Sequence, residues 1–505
     1  PPAVTELVKS INVLEGESVR LSVDLASGQF VSDLDAQILS NLEQLRDSAL
    51  HYSIGRAPND INTTTIRNGL YAQSPFSPMG QIDIAASGFS LAALPAAVEN
   101  ELITKDDAQA IALSAALRIK EMTQKSAGAS TEQEILNYGY KGMLYHYCDW
   151  NESDQEFHGA SGVEVSSVDT AILMWGLLVS ANYFEGDVRA NYLIARDHIK
   201  WSVWLDTKSS HLNQFRMAYI PGIGFDGWWD WYTQEVMLVA IMAAMSDNNI
   251  VVEDVWRAWK REEVTYQSPG PDSKSFTAYS TYFGDPFTVF YAQAFFDLER
   301  LKEDLDGVNW HDQAKTAYRG HVEFFAKERG YLNSLSVAFH NGCCGTSGAF
   351  AEPKSNQENP ITTNKATIYS VAGGLSYYKE TDSPNDQLAG ALSGLVANTQ
   401  GFFDWHGWPV ATVDATDSSH PVIDKSIIGQ DISLIGLAVD NYLNGNIHDL
   451  VFHDPEFTKV ISLISPDFSQ PETTNKFNVE WSKNGVPIDG ATALSWDLGS
   501  VEVSA

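Results

Sequence analysis

Residues 225–238 read FDGWWDWYTQEVML, and the glutamate near the end, Glu235, opens an apolar run. A carboxyl group set between aromatic rings and an apolar segment suits acid–base chemistry, because rings that strip water from it raise its pKa. The rings here are Trp228, Trp229, Trp231 and Tyr232. Flat amphipathic rings also stack on the C–H faces of sugars, so the same residues are candidate substrate platforms. Hydrolysis of an acetal needs two carboxyl groups, one protonated to release the leaving oxygen and one ionised to activate water or attack directly. A partner for Glu235 must therefore stand in a comparable setting.

Asp83, Asp169, Glu235, Asp285, Asn364 and Asp431 each open a strongly apolar stretch, at intervals of 50 to 86 residues. Between these stretches run amphipathic segments such as 104–125, which begins with Thr104 and Asp107 in a capping-box arrangement. A helix apolar on every face is buried, and one with a single apolar face lies outside it. The alternation predicts an all-α (α/α)6 toroid, in which the inner helices open at one shared mouth. Asp and Asn are ordinary helix N-caps, so capping competes with catalysis as the reason for each of them. Glu is not a favoured cap, which makes Glu235 the best catalytic candidate of the six.

Composition narrows the chemistry. The 505 residues carry a net charge of −33, which argues against nucleic acid and anionic membrane as partners, since both require clustered Lys and Arg. Fourteen Trp and 20 Tyr are many for such a chain, and they fit a sugar ligand. No Cys/His spacing points to a metal, and no glycine-rich phosphate loop follows a strand, so no cofactor is expected. Cys343 and Cys344 are adjacent; free thiols and a strained vicinal disulfide are both open to them. Tyr145 and His146 in LYHY, and Asp404, Trp405, His406 and Trp408 in FFDWHGWP (402–409), are further candidates for contact with a sugar.

Four blocks in order over roughly 80–450 resemble glycoside hydrolase family 144, whose members act on β-1,2-glucan: GQIDIAASGFSLAALPAAVENELIT (80–104), GMLYHYCDW with GVEVSSVDTAILMWGLLVSANYF (142–184), FDGWWDWYTQEVMLV (225–239) and QDISLIGLAVDNYLNG (430–445). The resemblance implies an (α/α)6 fold and hydrolysis of β-1,2-glucosidic bonds with inversion. It implies Glu235 as general acid, Glu164 and Asp169 as an acidic pair lining the cleft, and Asp431 or Asp169 as base. Two histidines of the family pattern are replaced here by Val289 and Gln293, the latter a candidate substrate contact.

The ends differ in texture from the middle. Alternating residues in 9–25 predict an N-terminal β extension (1–28), ahead of a catalytic domain (29–453). A linker and a C-terminal hairpin or partial immunoglobulin-like module (454–505) follow, with a turn at Asn484-Gly485. The acidity and these β-like ends favour a secreted or periplasmic protein whose signal peptide precedes the numbered chain. The expected function is hydrolysis of a neutral β-glucan. A toroid exo-glycosidase or a uronate-cleaving lyase acting on another polysaccharide, and a non-catalytic glycan-binding toroid, are the alternatives.

Overall fold

The computed structural model describes residues 11–12, 33–60, 64–77, 80–282, 284, 286–329, 365–378, 403–404, 406–409, 412–414, 422–424, 427–469, 482–483, 486–487 and 500–501. The chain divides into two compact units, 42–470 and the two ends 1–41 with 471–505. In the smaller unit Ile11–Asn12 pairs antiparallel with Ser500–Val501, so strands from the two termini join one sheet. Ser482–Lys483 pairs with Val486–Pro487 across the Asn-Gly dipeptide.

The larger unit is built on α1 (Asp33–Ser53, from residue 42), α2 (Ile84–Glu99), α3 (Lys105–Gly128), α4 (Ser167–Phe184), α5 (Gly186–His198), α6 (Gln234–Ser246), α7 (Val252–Arg257), α8 (Trp310–Arg329), α9 (Ile368–Gly373), α10 (Gly429–Leu443), α11 (Asn446–Phe452) and α12 (Pro455–Ile464). Helices α2, α4 and α6 bury nearly every residue, as expected for segments with no polar face. They pack in sequence: α2 on α4, α4 on α6, α6 on two 3-10 turns (Pro286–Val289 and Ala292–Ala294), the first of these on α9, α9 on α10, and α10 back on α2. The six apolar stretches thus contact one another in a closed circuit. Amphipathic helices cover it, α3 and α5 against each other, α7 and α12 against α6, and α11 against α2 and α4.

Two expectations need correction. The stretch after residue 285 is not a helix but the two 3-10 turns. The cause is Gln234, whose side-chain oxygen accepts from the N–H groups of Ala292 (2.9 Å) and Gln293 (3.2 Å) while its amide donates to the Val289 carbonyl. An amide inserted between Gln293 N–H and Val289 C=O occupies both ends of what would be an α-helical bond. The domain limit at 453 also moves. Asp454 caps α12, whose buried stripe of Phe457, Val460, Ile461 and Ile464 seats it in the larger unit, so that unit runs to 470.

The tightest inner contact rests on two glycines. A Cβ on Gly176 of α4 would run into the Gly88 carbonyl of α2, and one on Gly88 into the backbone at Ile172. Gly176→Ala is expected to cost about 3 kcal/mol, because two backbones would have to separate. Gly128→Ala, at a site with nothing within 4 Å of the added carbon, is expected to leave the denaturation midpoint near wild type. Equal midpoints for the two variants would contradict this packing.

Candidate active site

Short β bridges set the site's frame. Ile82–Asp83 pairs with Tyr147–Asn151, placing Asp83 opposite Tyr147. The Ile84 N–H bonds the His146 carbonyl (3.1 Å), and the His146 N–H bonds the Glu164 carbonyl (3.1 Å). Val165–Ser166 then leads directly into α4 and Asp169. Residues far apart in sequence are thereby stitched into one wall: Asp83, His146, Tyr147, Glu164 and Asp169.

His146 is the cation in that wall. Its Nδ1 lies 3.4 Å from Glu164 Oε1 and its Nε2 3.8 Å from Asp169 Oδ1. Burial opposes its protonation, but Asp169, Glu164 and Asp83 together overcome burial and raise its pKa to about 10. The hydrogen bond from His146 in turn holds Glu164 below the ordinary carboxylate range. Tyr147 stacks on the imidazole (centroids 4.1 Å apart), and its hydroxyl accepts from Gln73 Nε2 (2.9 Å).

Capping, the competing explanation for the acidic residues, accounts for only one of the four that are described. Asp83 is the N-cap of α2 and accepts from Ala86 N–H at 2.8 Å. Ser166 caps α4 and Thr233 caps α6, so Asp169 and Glu235 sit in first turns that are already capped. Asp431 stands in the first turn of α10, buried, and its Oδ2 has no hydrogen-bond partner. Burial, then the charge of Asp83, push the Asp431 pKa well above the usual carboxylate value. Burial likewise raises Asp83 to about 6, against the pull of His146 and the Ala86 N–H. Asp285 and Asn364 lie outside the described residues.

Tyr291 lies within electrostatic reach of three of the carboxylates. Its buried phenol accepts from Gln430 Nε2 (2.9 Å), and its pKa is raised by burial and by the charges of Asp431, Glu235 and Asp169. Carboxylates of α4, α6 and α10 thus all act on the charge state of one phenol. Tyr291, Gln430 and Tyr147 were not singled out from sequence, and a tyrosine inside an aromatic run (FTVFYAQAFF) carries no signal that distinguishes it from core.

Several sequence candidates lie elsewhere. Tyr145 is buried, with its hydroxyl on the Ile135 carbonyl (2.8 Å). Tyr232 is core, packed on Trp310 at 4.6 Å, and Trp408 is core against Tyr52. Gln293 is buried and spends its amide on Asp297 and the Leu298 N–H. The Trp228 ring is covered by His211, stacked at 3.9 Å, and by the Arg216 guanidinium at 4.3 Å, leaving little of it to a sugar. Trp231 is half-buried beside Lys260 and Tyr282. Trp229 alone of the three reaches the helix openings, donating from Nε1 to Ser167 Oγ at 2.9 Å. Asp404 and His406 form a buried pair, Nδ1 to Oδ2 at 2.5 Å. Trp405, Cys343 and Cys344 lie outside the described residues, while Cys148 is a buried free thiol.

Among the described residues the group best spaced for a metal is Asp154, Glu156 and His158, with ligand atoms within 4.8 Å of one another. Its donors are already engaged, Glu156 with Lys125 and His158 with Asp154 (2.9 Å). None of the described helices is long and apolar enough to cross a membrane.

With this geometry in place, solved structures supply a match. An endo-β-1,2-glucanase from Chitinophaga pinensis, in complex with sophorotriose and glucose, superposes with a TM-score of 0.61 at 14% identity, over 87% of this chain and 100% of that one. The chain shares that protein's fold. A glucoamylase candidate from Bacteroides uniformis gives 0.61 at 15% identity over 88% and 99% of the two chains. A β-1,2-glucanase from Parabacteroides distasonis gives 0.58 at 15% identity over 88% of this chain and 64% of its own. No family model matches the chain, and no curated protein matches it.

Proposed function

We propose that the protein is an exported glycoside hydrolase with an (α/α)6 catalytic domain, cleaving β-1,2-linked glucan by acid–base catalysis with inversion. The observation that carries this reading is the placement of Asp169, Glu235 and Asp431 in the first turns of three buried helices, with His146 set between Asp169 and Glu164. The fold shared with endo-β-1,2-glucanases and the four sequence blocks support the choice of linkage.

In this mechanism Glu235 gives its proton to the glycosidic oxygen as the C1–O bond breaks. A water attacks C1 from the opposite face and passes a proton to Asp431, leaving a hemiacetal of inverted configuration. Asp431 suits the role of base because it lacks a cationic partner and is desolvated, which makes its ionised form a strong proton acceptor. Asp169 and Glu164, held by His146, are hydrogen-bond acceptors for sugar hydroxyls.

Release of new reducing ends from β-1,2-, β-1,3-, β-1,4- and α-1,4-glucans tests the substrate. Release from the β-1,2 polymer and its oligosaccharides is expected. Release confined to α-1,4-glucan would overturn the assigned linkage.

A further inference from the structure

We infer that Phe76 is the platform of an additional glucosyl subsite, supported from beneath by the Asp404–His406 pair. The inference rests on the proposed function and extends it to how a longer chain is held.

Phe76 is 59% exposed, and among the phenylalanines whose side chains are described no other is exposed. A single exposed apolar side chain needs no explanation in itself. This one differs because its backbone is fixed although its ring is not covered. Residues 74–77 form a tight turn in which Ser77 N–H bonds the Ser74 carbonyl (3.0 Å), Ser74 N–H bonds Ser77 Oγ (3.1 Å) and Phe76 N–H bonds Ser74 Oγ (3.3 Å). Arg67 holds the Pro75 carbonyl at 3.0 Å. An aromatic ring presented on a turn held in this way loses little entropy when a ligand stacks on it.

Beneath the ring lies His406, with centroids 5.2 Å apart. His406 is itself fixed: Nδ1–H donates to Asp404, its carbonyl accepts from Asn59 N–H (2.8 Å), and Asp404 also takes the Trp408 N–H (2.9 Å). A buried hydrogen-bonded dyad with no part in the hydrolytic step thus backs an exposed ring.

The turn is also anchored to the site. Three residues before Phe76, the Gln73 carbonyl accepts from Gly429 N–H (2.6 Å), two positions ahead of Asp431, and the Gln73 amide reaches Tyr147 in the carboxylate wall. This link through Gln73 is the reason to place the added subsite on the Tyr147 side of the wall. The ring offers an apolar face, which suits the C–H face of a neutral pyranose.

The test compares wild type with Phe76→Ala and Phe76→Trp on β-1,2-gluco-oligosaccharides of increasing length. KM for long substrates is expected to rise about tenfold in Phe76→Ala, with kcat and the kinetics of the shortest cleaved substrate unchanged, and to return toward wild type in Phe76→Trp. Unchanged KM at every length, or equal loss at every length, overturns the subsite. If wild type cleaves no β-1,2-glucan, the proposed function fails instead. The subsite is then decided by calorimetric binding of oligosaccharides of other linkages to wild type and Phe76→Ala: weaker binding by the variant supports it, and equal or absent binding overturns it.

Discussion

Asp431→Asn is expected to lower kcat on glucan by about a thousandfold, the scale of a lost general base, and at the same time to stabilise the protein at neutral pH. The two effects have one cause. The Asp431 carboxyl is buried, one oxygen has no partner, and Asp83 adds a second negative charge nearby. Its folded pKa therefore lies above its unfolded value. Below the unfolded pKa both states are protonated and folding bears no penalty. As pH rises from there through the folded pKa, the unfolded chain loses its proton first and stability falls. The Asn variant escapes this penalty, so its gain, on the order of 1 kcal/mol, appears only above the ordinary aspartate range and is absent in acid. Thermal melts of both proteins across pH check the sign. Asp83→Asn isolates the coupling, because Asn caps helices as well as Asp does but carries no charge. Removing that charge lets Asp431 ionise earlier and moves the acid limb of the rate profile to lower pH. Movement of the alkaline limb instead would make Asp431 the proton donor.

Glu235→Gln is expected to reduce glucan hydrolysis by at least about a thousandfold with KM little changed, since the amide retains the shape but has no proton to give. Thr233 already caps α6, so the substitution leaves the helix start intact and the melting temperature close to wild type. A substrate whose leaving group departs without protonation, such as an aryl glycoside with an acidic phenol, should recover most of the lost rate. Equal loss on both substrates would assign Glu235 to binding rather than proton donation. The two variants thus divide the work: one changes the proton donor, the other the acceptor.

The helical frame was legible because burial on all faces leaves a plain mark, long apolar stretches between amphipathic ones. Five of the six stretches carry helix in the structure, and the sixth does not because Gln234 reaches across from another segment, a contact that local pattern cannot report. Glu235, Asp169 and Asp431 were singled out by the apolar stretches they open and by the family resemblance, and the structure places all three in first helical turns. The aromatic candidates fared worse. Indole and phenol rings serve core and ligand equally, and only tertiary packing separates Trp229, which touches the opening of α4, from Trp228, covered by His211 and Arg216, and from Tyr232 in the core. The role of His146 depends on carboxylates brought to it by strand pairing from both sides, and Tyr291 on helices distant in sequence. Neither relation has a local signature.

The most direct measurement is proton NMR of β-1,2-glucan during digestion by the wild-type protein, watching the anomeric region from the first turnovers. New reducing-end signals are predicted, with the α-anomer appearing ahead of mutarotation, as displacement by water on the opposite face requires. A polymer spectrum that stays unchanged under conditions where the folded protein is present in excess would contradict the account.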